Sequence, residues 1–193
     1  MTAQEDVAIV DVAKGKRAVF EWILEESFEG WYLMHSKRTL RDIELVRVAM
    51  SSGKAVGLVM LKTLEEKVGY VYYIAVAKAS RKKGIGKLLL EDALRHFRAS
   101  KVKEVFASVE EDNEPSEALF ASEGFRRTSF NEVSKKHGSL HTLNMYREML
   151  VVPGEVLLAG RSHNNYHRQL SPFFSVTKHL ITTLRESSRV QFR

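Results

Sequence analysis

The chain has 193 residues, enough for one domain with a substantial core, and 44% hydrophobic with 28% charged residues is the balance of an ordinary water-soluble globular protein. There is no cysteine, which excludes disulfides, thiolate metal sites and a cysteine nucleophile, and no apolar run approaches the ~18 residues of a membrane span. The net charge of +6, from 30 Lys+Arg against 24 Asp+Glu, suits an anionic ligand.

The first residues, MTAQEDVAIVDV, lack the basic-then-apolar layout of a signal peptide, so the expectation is a cytoplasmic protein without a membrane partner. No strand interleaves basic and aromatic side chains into a stacking platform, so nucleic acid is not the expected partner.

In chain order, VAIVDV (7–12) predicts a short strand. RAVFEWILEESF (17–28) carries Val19, Phe20, Ile23, Leu24 and Phe28 at helical spacing. IELVRVAM (43–50) and KAVGLVMLK (54–62) flank Ser51-Ser52-Gly53, a hairpin signal. Beyond the turn TLEEK, VGYVYYIAV (68–76) is rich in β-branched and aromatic residues, as strands are. After Gly86 the helical period returns with Leu88, Leu89, Ala93, Leu94 and Phe97, and His96 falls on the surface. VKEVFASV (102–109) predicts a strand, EPSEALFASEG (114–124) a short helix, and FRRTSF (125–130) and LHTLNMYREML (140–150) two more strands. The order β-α-βββ-α-β-α-ββ is that of a mixed α/β sheet protein.

SRKKGIGKLLLEDAL (80–94) sets three basic residues before Gly84-Ile85-Gly86 and then opens a helix. A Walker loop fails here, because position 81 is Arg and Lys87 is followed by Leu88; a dinucleotide fingerprint fails because position 89 is Leu. What survives is a strand, a short basic turn and a helix start whose free amides and dipole can hold a pyrophosphate, with glycine letting the phosphate approach the backbone.

Ile74-Ala75-Val76 followed by Arg81-Lys82-Lys83-Gly84-Ile85-Gly86 resembles motif A of the GNAT N-acetyltransferase superfamily, Arg/Gln-x-x-Gly-x-Gly/Ala. Asn113, Ser116, Leu119, Phe120 and Gly124-Phe125 resemble its motif B, Asn-x-x-Ala-x-x-(apolar)-Tyr-x-x-x-Gly-Phe. The two lie in register over residues 68 to 126, with a looser likeness from about residue 5 to 150. The resemblance implies a mostly antiparallel central sheet with helices on both faces. It implies acetyl-CoA as cosubstrate, with no metal, and transfer of acetyl to a primary amine of a protein, peptide or small molecule by direct attack. The pyrophosphate would lie on the turn amides of Lys82 through Lys87, and the pantetheine would pair with the strand edge at Ile74 and Val76. The Val76 amide would polarise the thioester carbonyl, and Asn113 would hold the pantetheine arm.

The chain departs from the pattern in its chemistry. The motif-B tyrosine that protonates the leaving thiolate in many relatives is Phe120 here, and the family's glutamate base falls on Tyr70. Period-two alternation puts Tyr70, Tyr72, Ile74 and Val76 on one face, so that Tyr70 or Tyr72 would orient a water receiving the amine proton. Glu25, Glu26, Glu110 and Glu111 are further candidates for the base. An α-amine near pKa 7.8 is deprotonated at pH 7 at a cost of roughly 1 kcal/mol, against roughly 4.6 for a lysine amine near 10.4, which favours the weaker base. The rival reading is a non-catalytic domain that binds acyl-CoA and reports it to a partner. The acceptor pocket is expected from residues 17 to 45 and a loop at 130–142.

The domain is expected to span residues 1–150 and a basic extension 151–193. The extension supplies +4 of the charge, six Lys+Arg against Glu155 and Glu186. SPFFSVTKHLITTLRESS (171–188) predicts a helix capped by Ser171 and Pro172, with Phe173, Val176, Leu180, Ile181 and Leu184 in one stripe. This stripe is expected to pack on protein, on a twin subunit in a homodimer ahead of its own domain. His163 and His167 have helical metal spacing, but Asn164-Asn165 between them and the lack of a nearby acid point to a solvated loop.

Overall fold

The computed structural model describes residues 6–64 and 67–162. The chain runs through β1 (Val7–Asp11), a 3-10 turn (Lys14–Phe20), α1 (Glu21–Glu25), α2 (Gly30–Asp42), β2 (Leu45–Ser51), β3 (Lys54–Leu64) and β4 (Val68–Val76). A second 3-10 turn (Lys78–Ser80) leads to α3 (Ile85–Ala99), β5 (Glu104–Glu110), α4 (Glu114–Ser122), β6 (Arg126–Thr128), α5 (Phe130–His137), α6 (Ser139–Met149) and β7 (Glu155–Arg161). The strands form one sheet in the order β1-β2-β3-β4-β5-β7-β6. Every neighbouring pair is antiparallel except β4 with β5, so the sheet is mixed and mostly antiparallel, as expected.

Both faces are covered. On one, α3 buries Leu89, Leu90, Ala93, Leu94 and Phe97 against Val59, Leu61, Val71, Val105 and Ala107. On the other, Ile23, Leu24 and Leu40 of α1 and α2 pack on Val46, Val48, Leu58 and Met60. Farther along that face, Val133, Met145 and Met149 of α5 and α6 pack on Tyr70, Phe106 and Leu157. No helix among the described residues is long and apolar enough to cross a membrane.

The entry of the chain is fixed by Arg17, only 3% exposed. Its guanidinium donates to the carbonyls of Ile43 at 2.6 Å, Val12 at 3.2 Å, Glu44 at 3.3 Å and Leu40 at 3.4 Å. Leu40 and Ile43 lie at the C-terminal end of α2, where carbonyls lack helical partners and the dipole favours a cation.

Four regions differ from the expectation. LHTLNMYREML, expected as a strand, is α6: the buried positions Thr142, Met145 and Met149 recur at intervals of three and four, while Leu140 and Leu143 face solvent. The expected loop at 130–142 begins with α5, capped reciprocally by Ser129 and Glu132, which cuts the preceding strand to Arg126–Thr128. Residues 155–161, assigned by sequence to the extension, form β7, hydrogen-bonded between β5 and β6. The region expected as one helix at 17–28 is the 3-10 turn followed by the short α1. The helix at 171–188, His163 and His167 lie outside the described residues.

On β7, a Cβ at Gly160 would stand 2.6 Å from the Phe125 ring, which is itself buried against Phe120. Gly160→Ala is therefore expected to cost about 1–3 kcal/mol, the usual range for overpacking, measured as a lower urea midpoint with an unchanged slope.

Candidate active site

The site opens where two parallel strands part. β4 and β5 pair from Val68–Glu104 to Val71–Ala107 and then diverge, although β4 runs on to Val76 and β5 to Glu110. A bulge precedes the parting. Opposite β3, Leu61 faces Val71 and Met60 faces Tyr73, so Tyr72 is an extra residue, and a bulge bends and twists its strand.

The bulge also resets which side chains share a face. Tyr70 and Tyr72 lie on the side away from α3, and so do Tyr73 and Ala75, whereas Ile74 and Val76 turn toward α3. The expected common face of Tyr70, Tyr72, Ile74 and Val76 thus holds only for the first two. The backbone keeps its own alternation: the Ala77 amide donates to the Val56 carbonyl of β3 at 3.0 Å, so the Ile74 and Val76 amides point away from β3, into the opening.

The turn after β4 supplies the second half of the site. Lys82 has φ 60° and Gly84 φ 81°, and Gly84 caps α3 without a side-chain hydrogen bond. The first intrahelical bond there runs from the Leu88 amide to the Gly84 carbonyl, so the amides of Ile85, Gly86 and Lys87 have no helical acceptor. Arg81 holds this turn rather than standing free: it donates to the carbonyls of Val76 at 3.0 Å and Glu26 at 2.5 Å. Lys87 pairs with Glu123 at 3.4 Å, Lys83 is exposed, and the Ile85 side chain is core.

Between the strands lies a cleft of about 540 Å3. Of the residues anticipated from sequence, Tyr70, Tyr72, Ile74, Ala75, Val76, Arg81, Lys82, Gly86, Asn113, Ser116 and Phe120 line it. Lys83, Gly84, Ile85 and Lys87 form the adjoining turn and first helical positions. Asn113 caps α4, its side-chain oxygen accepting from the Ser116 amide at 3.1 Å, which leaves its NH2 group for a ligand. Phe120 is core, edge-on to Phe125 at 5.1 Å, and has no proton to give.

The tyrosines are engaged. Tyr70 is 1% exposed, with its hydroxyl 2.7 Å from Ser108 Oγ, and burial pushes its pKa far above the ordinary value. The Tyr72 hydroxyl donates to the Glu148 carbonyl, and burial together with the Glu148 carboxylate pushes its pKa up to about 12.

Several further cleft residues were not named individually from sequence. α2 contributes Trp31, Tyr32 and His35, and β4 contributes Tyr73. His35 Nδ1 lies 2.7 Å from the Tyr73 hydroxyl, and Trp31 stacks on the His35 ring at 4.9 Å. At the far end, Glu110 of β5 faces Glu155 of β7 in register. Glu155, counted by sequence only as tail charge, accepts from Tyr32 at 3.2 Å, and burial beside these two carboxylates raises Tyr32 to about 12.

Residues 16–125 match the model of the acetyltransferase (GNAT) family. The chain belongs to that family. As a GNAT domain it is 40% identical over 58 residues to a mycothiol acetyltransferase of Nocardioides, and 39% over 62 residues to one of Catenulispora acidiphila. Those matches cover 30% and 32% of this chain and 20% of each relative, so the shared segment spans about a fifth of the relatives' length. Among solved structures, the GNAT fold is shared with an IAA acetyltransferase from Bacillus cereus, at TM-score 0.60 and 23% identity over 81% of this chain and 99% of the other. It is shared equally with the PaiA N-acetyltransferase of Thermoplasma acidophilum in complex with coenzyme A, at TM-score 0.61 and 14% identity over 81% and 99%. A GNAT acetyltransferase from Elizabethkingia anophelis with acetyl-CoA bound superposes at TM-score 0.58 and 17% identity over 80% and 97%.

Proposed function

We propose that this GNAT domain transfers acetyl from acetyl-CoA to a primary amine by direct attack, without a covalent enzyme intermediate. The observation that carries the reading is the pair of open amides on β4, Ile74 and Val76, beside the unpartnered first-turn amides of α3. The turn amides from Lys82 to Lys87 would hold the pyrophosphate, aligned with the helix dipole and aided by Lys82 and Lys83. The β4 edge at Ile74, Ala75 and Val76 would pair with the pantetheine, and the Asn113 NH2 group and Ser116 would lie along its arm. The Val76 amide would stabilise the oxyanion as the amine nitrogen adds to the thioester carbon. Collapse then breaks the carbon–sulfur bond and releases the coenzyme as its thiol. Glu110 and Glu155 give the far end of the cleft an acidic character suited to an ammonium group. Tyr70 and Tyr72 of β4 line the cleft wall; with their hydroxyls already bonded to Ser108 and Glu148, they leave the proton to a neighbour.

The test is release of thiol from acetyl-CoA in the presence of an alanine-initiated peptide, Nα-acetyl-lysine, spermidine and an aminoglycoside. Turnover with at least one is expected. Tight binding of acetyl-CoA with no turnover by any amine would instead support the acyl-CoA-binding sensor.

A further inference from the structure

Acetyl transfer to an ammonium group requires two protons to leave the nitrogen, and neither Phe120 nor the hydrogen-bonded Tyr70 and Tyr72 receives the first. We propose that His35 is the terminal acceptor of that proton, reached through the Tyr73 hydroxyl; this rests on the acetyl-transfer reading above.

The argument begins with placement. The bulge at Tyr72 turns Tyr73 onto the face that α1 and α2 cover, one residue before the Ile74 amide that faces the opening. α2 sets His35 against it, with Nδ1 2.7 Å from the phenol oxygen, and both side chains line the cleft. The imidazole is held in that attitude: Trp31 lies parallel to it within 5°, Phe28 meets the Tyr73 ring edge-on at 5.1 Å, and Thr39 Oγ1 is 3.5 Å from Nδ1. His35 is half-buried, and the partner its Nδ1 takes is a hydroxyl that itself lines the cleft.

The electrostatics agree. Burial and the Arg38 cation hold His35 below its ordinary value, so it is neutral, and able to accept, at neutral pH. Burial, with Glu155, Tyr32 and Tyr72, pushes Tyr73 above its ordinary value, so the phenol does not ionise. It serves as a relay. The groups around the pair are Arg38 and Tyr32 on α2, Tyr72 beside it on β4, and Glu155 of β7 behind Tyr32; on α1, Glu21 and Glu25 are paired with Arg41 and Lys37.

The step balances as follows. An ammonium proton passes to Tyr73 Oη while the phenol proton passes to His35 Nδ1, leaving a neutral tyrosine and an imidazolium. The freed amine adds to the thioester carbon, the carbon–sulfur bond breaks, and a second nitrogen proton neutralises the thiolate. The imidazolium returns its proton to solvent.

The experiment compares wild type with His35→Asn, Tyr73→Phe and the double variant, using the amine turned over fastest among the peptide, Nα-acetyl-lysine, spermidine and the aminoglycoside. Calorimetry should give acetyl-CoA affinities within about twofold of wild type, while kcat falls roughly a hundredfold or more, as the usual ~10²–10⁴-fold contribution of a general base requires. The acidic limb of kcat/KM, where protonation of His35 blocks acceptance, should vanish in His35→Asn, and the double variant should be no slower than the worse single one. If His35→Asn fails to fold, Tyr73→Phe carries the test alone. Near-wild-type kcat in the folded variants, or an unmoved acidic limb in His35→Asn, overturns the proposal and leaves the acetyl-transfer reading intact. A wild type that binds acetyl-CoA but acetylates none of the four amines overturns both.

Discussion

Gly86→Val is expected to weaken acetyl-CoA binding by about a hundredfold or more while leaving the protein folded. A Cβ at Gly86 would sit 3.5 Å from Leu119 and 3.8 Å from Val76, ordinary contacts that the fold accommodates. The methyl groups beyond it would stand where a phosphate must approach the first-turn amides. Losing one or two charge-assisted hydrogen bonds at ~1.5–3 kcal/mol each corresponds to tenfold or more per bond. Gly84 makes a different contribution: a Cβ there meets nothing within 4 Å, but φ is +81°, so Gly84→Ala adds roughly 1–2 kcal/mol of backbone strain. Lys82→Ala and Lys83→Ala should each do less than Gly86→Val, with a loss that shrinks at high salt as screening sets in. Calorimetry on folded protein decides; unchanged affinity in both glycine variants would end the coenzyme reading of this turn.

The second large effect is on stability. Arg17→Met should destabilise the protein by about 3–5 kcal/mol, because it abandons buried carbonyls at the end of α2 that no water can reach. Arg17→Lys should recover only part of this, since an ammonium cannot match a planar fork that donates from Nε, Nη1 and Nη2 to four carbonyls. Urea denaturation measures both. If Arg17→Met shifts the midpoint no more than a surface substitution does, the α2 carbonyls find other partners and the anchor role is lost.

The parts of the fold that sequence made legible are those where local chemistry and tertiary packing agree. The hairpin around Ser51-Ser52-Gly53, the apolar strand β4 and the periodic α3 each carry their own signal, and they build most of the coenzyme side of the cleft. The acceptor side is where the signals fail. α2 opens at Gly30 with φ 52°, has no side-chain cap, and exposes Trp31 and Met34, so its apolar spacing does not describe its buried face. Exposed Leu140 and Leu143 mask the helical spacing of α6 in the same way. The bulge at Tyr72 has no local marker such as a glycine, and once it is missed, period-two counting sends Tyr73 to the wrong side of the sheet. His35 and Glu155 become site residues only through partners 38 and 123 positions away in the chain, Tyr73 and Tyr32.

The position of β7 has a consequence for how the molecule is made. β5 ends at Glu110, but its second neighbour begins at Glu155, and β6 has no partner in the sheet until that strand arrives. At a synthesis rate of about 5–20 residues per second, the interval between the two strands is on the order of several seconds. During that interval the nascent chain can assemble β1 to β5, with β5 presenting an unpaired edge and β6 waiting nearby. An open edge of this kind is the usual template for pairing with another chain, so this interval leaves the nascent sheet open to misassembly. The same delay means that, among the described residues, Glu155 is the last of the cleft to be synthesised, and the acidic end of the cleft forms only when the sheet closes around it.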